Sequence, residues 1–431
     1  MTPSDDSPLT PPPSADADPD VSAEWVMRRL AAISRAFSPA SPVQTRDLFA
    51  GRTRQIFRID DVIAQAGQHA IIFGERGVGK TSLAKFGGQQ ATQTMQMWAT
   101  CHSNDNFATI WDQMLLDVQL RYEVKAPGFT GDSRVEPMPV RQLMLLQNDE
   151  NPSPSHVKRA LRRLTASGGS VLVTIDEFDR VRDESTPLLM ADLIKILADD
   201  QTPVTVVLVG VGRNVDDLMK GHASVVRSLV QIEMPRMAES ELREIVERGM
   251  KKCAFTVDSR FVAAAAKLCM GLPNYAHLIA QAAARNAAED LSDHIGLEQL
   301  QKALVRALDD FQQTVVEAYT RATASNRDTL YRPVLLACAL ARKDVLGRFT
   351  TSDVRSALDS IGVHKGISSF SKHLGDFSTP GGARGNVLTQ LTDPGKWRKY
   401  RFMDPLMPPY ILIQAYADGD IGLEELTAAT S

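Results

Sequence analysis

His69-Ala-Ile-Ile-Phe-Gly74-Glu75-Arg76-Gly77-Val78-Gly79-Lys80-Thr81-Ser82 is the stretch that decides the fold. Its first five residues form a short apolar, β-branched run that reads as a buried strand. A complete G-x-x-x-x-G-K-[ST] pattern follows at once, Gly74 to Thr81, with Ser82 behind it. Glycines at these places let backbone N–H groups converge on phosphate oxygens. Lys80 is placed to neutralise them, and the Thr81 hydroxyl to ligate Mg2+. The pattern requires a strand leading in and a helix leading out, and a helix is read from Lys80.

The partner of this loop lies about a hundred residues on. VLVTIDEFDRV, 171–181, is an apolar strand ending in Asp176, the place for a carboxylate beside Mg2+ at the mouth of a sheet. Glu177 follows, where an acid suits a general base that polarises water, and Asp179 is the next candidate. TMQMWAT (94–100), VTVVLVG (204–210) and LVQIEM (229–234) are further short apolar runs separated by helical patterns. Continuous apolar strands alternating with helices predict a parallel sheet covered on both faces. The fold class is therefore α/β, a P-loop nucleoside triphosphatase core. Past the 204–210 strand, Asn214 is the chosen contact for a terminal phosphate, with Arg213 as competitor; either residue equally serves to cap a short helix. Arg227, just before the last strand, is a candidate for stabilising phosphoryl-transfer charge from a neighbouring subunit, and equally a plain surface arginine.

Outward from this core the chain is 431 residues long, with a formal net charge of −4 that exerts no global pull on nucleic acid or anionic membrane. The four cysteines, Cys101, Cys253, Cys269 and Cys338, are scattered without a C-x-x-C pair, which fits a reducing cytoplasm rather than a disulfide framework or zinc ribbon. No signal-peptide pattern opens the chain, and no apolar run approaches the ~20 residues of a membrane span. Residues 1–21 read as an acidic, proline-rich disordered tail: the first twenty hold six prolines, five aspartates and no Lys or Arg. A helix is expected from Ser22, with Val26, Leu30, Ile33 and Phe37 inward and Arg28, Arg29 and Arg35 off that face. The organisation read from these shifts is a core over 22–236 with a Pro-, Gly- and charge-rich insertion at 121–152, a helical lid over 237–310, a linker over 311–330, a winged helix over 331–415 and a tail over 416–431. Nucleotide is expected between core and lid.

The motifs together resemble the AAA+ and STAND branch of P-loop ATPases, and within it the origin-recognition/initiator-like group. The residues that carry the likeness are Phe49-Ala-Gly51-Arg52, the Gly74–Ser82 loop, Ile175-Asp-Glu-Phe-Asp179, the Arg227 segment and a helical lid. The resemblance implies ATP and Mg2+ as cofactors and a place for Gly51 and Arg52 near the adenine. Gly271-Leu-Pro273 is similar to the G-x-P motif of STAND switch ATPases, whose proline packs against the base. Asn274 stands where many AAA+ lids have an arginine, which favours slow turnover and a switch role.

In the C-terminal module, helices around Val354–Ile361 and Gly366–Leu374 precede a hairpin, Val387–Leu391 and Trp397–Phe402. Arg384, Lys396, Arg398, Lys399 and Arg401 face one acid, Asp393, between Pro380 and Met403. Beside Ser369, Lys372 and His373, such a wing suits a phosphate backbone; an internal packing role is the competing reading. Two function classes stay open. One is a slowly hydrolysing ATPase whose nucleotide state controls assembly on DNA or with a partner protein. The other is a signalling or defence switch that acts through an effector in trans, without DNA. A homo-oligomer fits either. A kinase is a weaker third class, because Glu177 beside Asp176 and a separate lid favour water as acceptor.

Overall fold

The computed structural model describes residues 10–13, 18–39, 51–90, 94–116, 119–125, 133–139, 151–166, 168–212, 229–325, 330–344, 347–391, 398–422 and 425. They divide into two compact units. One comprises Arg52–Glu75 and Gly79–Pro235; the other comprises Met1–Gly51, Arg76–Val78 and Arg236–Ser431.

The first unit is built on the expected sheet. β1 (His69–Gly74), β2 (Thr94–Thr100), β5 (Ser170–Asp176), β6 (Val204–Val211) and β7 (Leu229–Met234) pair in the order β2-β5-β6-β1-β7, every pair parallel. The central strands are buried almost without interruption, while the edge strand β2 alternates buried and exposed residues. That difference follows from position: a central parallel strand has helices over both faces and needs apolar side chains on each. One face holds Ile71, Val173, Ile175, Val206 and Leu208 against Trp111, Leu161 and Ile194 of the covering helices. The segment read as an insertion overlaps a hairpin, β3 (Gln119–Lys125) antiparallel to β4 (Ser133–Pro139).

In the second unit the four expected lid helices run Glu239–Lys252, Ser259–Leu268, Pro273–Glu289 and Leu300–Asp309. The stretch read as a linker carries a helix of its own, Gln313–Thr323. Its Tyr319 and the preceding Phe311 join a ring cluster with Tyr275 and Tyr410, at centroid separations of 4.9–5.2 Å. The C-terminal module has the element order of a winged helix: helices Tyr331–Leu340, Thr351–Ser360 and Ile367–Ser378, with a three-stranded sheet. β9 (Leu388–Leu391) and β10 (Lys399–Phe402) form the expected hairpin, and the two-residue β8 (Phe349–Thr350) adds to β10. That third strand is too short to show periodicity.

The N-terminal helix corrects two expectations. It starts at Pro19, because Asp18 caps it by accepting the Asp20 N–H and proline is at home in a first turn. Its buried face is Trp25, Arg29, Ala32, Ile33 and Ala36, so Arg29, expected in solvent, lies inside. A partner distant in sequence accounts for the buried arginine: Arg29 lies against the Cys253–Phe255 turn, which the helix's own sequence cannot reveal.

Two buried histidines give each unit an acid limit. His69 on β1 and His277 in the lid are both pushed down to about 4 by burial. Both therefore stay neutral in the fold while the unfolded chain takes up protons near 6.5, so stability is full above about pH 6.5 and falls as pH drops toward 4. A shift of this size is worth about 3 kcal/mol per histidine. Urea midpoints measured from pH 7 to 4.5 should fall steadily, and His277→Leu, which replaces a ring whose Nδ1 is buried without a partner, should flatten the dependence.

Candidate functional site

The loop between β1 and the helix Lys80–Gln90 takes its shape from three glycines at positive φ: Gly74 at 155°, Gly77 at 84° and Gly79 at 95°. Gly74 is held hardest, since a Cβ there would stand 2.4 Å from the Met234 carbonyl oxygen of the neighbouring strand. From this loop the Lys80 ammonium turns back and donates to the carbonyls of Gly74 (3.2 Å) and Glu75 (2.7 Å). Burial pulls Lys80 down to about 8, against the pull of Asp179, Asp176, Glu75 and Glu177. Four acids thus act on one buried cation, which holds its charge at neutral pH.

Opposite the loop, β5 delivers Asp176 at its C-terminal end. β6 separates β5 from β1 in the sheet, yet Thr81 Oγ1 donates to Asp176 Oδ2 at 2.8 Å, and the Glu177 N–H donates to the other carboxylate oxygen at 2.9 Å. Burial raises the Asp176 carboxyl while these two bonds lower it. Among the described residues no cluster of three His, Cys, Asp or Glu forms a metal site. Mg2+ at triphosphates asks for less, one or two carboxylates with phosphate oxygens and water making up the octahedron. A hydroxyl and a carboxylate in contact meet that requirement.

The acids after Asp176 are sorted by the turn. Phe178, buried in the core, anchors a 3-10 turn over Phe178–Arg180. Glu177 adopts a left-handed conformation, φ 54°, and its half-exposed carboxylate bonds Arg180 at 2.5 Å. Asp179 is instead fastened to the end of β6 by accepting the Val211 N–H at 2.7 Å. The sequence marks Asp179 as a second candidate base and carries no signal for this tie between the 176–179 turn and β6.

The remaining candidates fall in several places. Arg52 is buried, also left-handed, and donates to the Pro235 carbonyl at 2.5 Å. Gly51, in the other unit, donates its N–H to Glu244 at 3.2 Å. Pro273 opens the first turn of the helix Pro273–Glu289. Ser82 is half-buried in the helix after the loop. Asn214, Arg213 and Arg227 lie outside the described residues, as do Phe49 and Lys396.

The loop tip, Arg76–Val78, groups with the second unit. There Arg76 reaches Asp404 (3.3 Å) and Gln312 (3.1 Å), and a Cβ on Gly77 would stand 2.8 Å from Leu406. Leu406 is fixed in turn by its carbonyl, which accepts the Tyr275 hydroxyl at 2.6 Å. Asn274 Oδ1 is buried without a partner beside Gly77. No local pattern at 404–406 announces this role, because it exists only through contact with the loop.

The C-terminal cations are divided by their partners. Lys372 and Arg398 are exposed and Arg401 is half-buried. Lys399 pairs with Asp344 at 3.1 Å, and Arg384 lies 3.8 Å over the Tyr331 ring with a bond to the Ala324 carbonyl.

Residues 48–208 match the model of the AAA ATPase domain family. No curated protein sequence matches the chain. Among solved structures, the Aeropyrum pernix ORC2 protein, solved as ADPNP–ADP complexes, superposes with a TM-score of 0.50 at 15% identity, covering 91% of this chain and 98% of that one. The Aeropyrum pernix ORC1 protein in complex with DNA gives 0.46 at 15% identity, over 90% and 97%. The Thermotoga maritima RuvB Holliday junction branch migration motor gives 0.41 at 15%, over 79% and 93%. At these identities the first likeness is one of fold.

Because Gly74 combines positive φ with a backbone oxygen in the way of any side chain, Gly74→Ala should destabilise the protein by about 2 kcal/mol or more. Chemical denaturation would check this, with Gly168→Ala as the comparison: that glycine also has positive φ, 87°, but has open space around it.

Proposed function

We propose that this chain binds ATP with Mg2+ and hydrolyses it slowly, and that its nucleotide state controls assembly on DNA or with a partner protein. The observation that carries the reading is the meeting of Lys80, Thr81 and Asp176 at the C-terminal edge of a parallel sheet, within a segment that matches an AAA ATPase domain.

In this reading the N–H groups of Gly74 to Thr81 and the Lys80 ammonium hold the β- and γ-phosphates, with Ser82 at the start of the helix. Thr81 and Asp176 hold Mg2+, which supplies charge neutralisation on the phosphates when bound. Glu177 leaves Arg180 to orient the attacking water, and Asp179 keeps the turn in place from the β6 side. Asn214 contacts the terminal phosphate and Arg227 acts from a neighbouring subunit. Gly51, Arg52 and Pro273 are assigned to the base. Slow turnover follows from Asn274, which carries no positive charge at the lid position.

Lys80→Ala should abolish ATP binding by calorimetry while the melting transition stays cooperative; unchanged affinity would remove the loop assignment. With Glu177→Gln, ATP should still bind, and single-turnover hydrolysis should fall by about a hundredfold or more. An unchanged rate would transfer the base to Asp179.

For DNA, the exposed Lys372 and Arg398, together with the half-buried Arg401 and with Lys396, are the phosphate contacts. Each contact contributes about 0.9 to the slope of log K against log salt. Lys372→Ala with Arg398→Ala should therefore weaken duplex binding for all sequences alike and reduce the slope by about 2. One observation favours the second reading, a switch acting through a partner effector without DNA: Arg384 and Lys399 are spent on internal ties. Absence of DNA binding at low salt, with ATP present, would make that the leading function.

A further inference from the structure

Arg29 is 2% exposed, and a buried guanidinium is costly unless its donors are met. Its Cζ lies over two rings, 4.8 Å from the centroid of Trp25 and 4.9 Å from that of Phe255. Nη1 donates to the carbonyls of Cys253 and Ala254, the latter at 2.6 Å, where the helix Glu239–Lys252 ends. Nη2 points elsewhere and donates to the Thr10 carbonyl at 2.8 Å, and Trp25 Nε1 donates to that same oxygen at 3.0 Å. Two side-chain donors thus converge on one backbone carbonyl of the N-terminal segment.

That carbonyl opens the run Thr10-Pro11-Pro12-Pro13. Three consecutive prolines have no N–H, so carbonyl oxygens are the only backbone groups the run can offer. Their fixed φ, and the restriction on the residue before each, keep it extended at little further entropic cost. Aromatic faces flanked by donors aimed at carbonyls are the recognised means of binding such chains. We infer that Trp25, Arg29 and Phe255 form a recognition site for an extended proline-rich segment, that Thr10–Pro13 fill it in cis, and that the same segment of a second copy fills it in trans when copies are brought together.

The site is built independently of its occupant. Two rings and two carbonyls fix Arg29, and all belong to the N-terminal helix and the 253–255 turn. The occupant is held lightly: Thr10 and Pro11 are exposed, and Pro12 and Pro13 only half-buried. Four residues, 14–17, tether it to the Asp18 cap, which gives an effective concentration on the order of millimolar. At micromolar chain concentration the cis segment therefore excludes its copies, and exchange requires neighbours held side by side.

The test uses a fluorescein-labelled peptide of residues 1–17 and the full chain, read by anisotropy. A full-length variant with Pro11→Gly, Pro12→Gly and Pro13→Gly should bind the peptide at least tenfold more tightly than wild type, because its own segment keeps the Thr10 carbonyl but loses the preset extended backbone and so competes far less. Adding Trp25→Phe, which keeps the ring and removes the N–H, should weaken that binding at least fivefold. A peptide with glycine at its three prolines should bind at least tenfold more weakly, a comparison that needs no change in the site. No binding to the triple variant, or equal binding of the two peptides, would overturn the inference.

Discussion

The geometry of the candidate site depends on β1 being paired on both sides, with β6 over Ala70–Gly74 and with β7 over His69–Gly74, and on Gly74 being pressed against the backbone of Met234. No side chain fits at that junction, so the chain leaves the sheet in a direction only glycine allows. The direction then places Lys80 and Thr81 over the end of the sheet, where Asp176 arrives from β5. The 2.8 Å bond between Thr81 and Asp176 is a consequence of strand order: it joins residues 95 positions apart because β6 spaces the two strands correctly.

Around Lys80 the acids have unequal standing. Asp176 is buried and bonded on both oxygens, Asp179 is bonded to the β6 backbone, and Glu177 is half-exposed on Arg180. The first two are fixed by main-chain geometry and suit positioning. The third is held by a surface ion pair, which contributes little and exchanges readily, and so is the one free to move. The turn that produces this sorting depends on buried Phe178 and on the left-handed backbone of Glu177, a conformation that persists in a non-glycine residue only where the surroundings enforce it.

The positive charges show how far composition can mislead. A net excess of cations at 380–403 reads as one basic surface, but Lys399 and Arg384 are bound within the module, leaving Lys372, Arg398 and part of Arg401 outward. Arg29 is the inverse case, placed in solvent by helical periodicity and found buried against two rings. In both, a guanidinium or ammonium is committed by a carbonyl, a ring or a carboxylate distant in sequence. Helical periodicity carries no information about such partners.

The sequence by itself determined the parallel sheet, the strand-loop-helix at 69–90 and the carboxylate of Asp176 at the end of a strand. Their signals are local: continuous apolar runs, glycines at fixed spacing, and a carboxylate at a strand end. It also foretold the four lid helices and the C-terminal hairpin, through periodicity and turn residues. Tertiary structure alone decided the rest. The register of the N-terminal helix, the tie of Asp179 to Val211, the seat of Leu406 against Gly77 and the partners of the C-terminal cations each rest on contact between distant segments. A residue's type fixes what it can bond to, but only the folded chain fixes what is within reach.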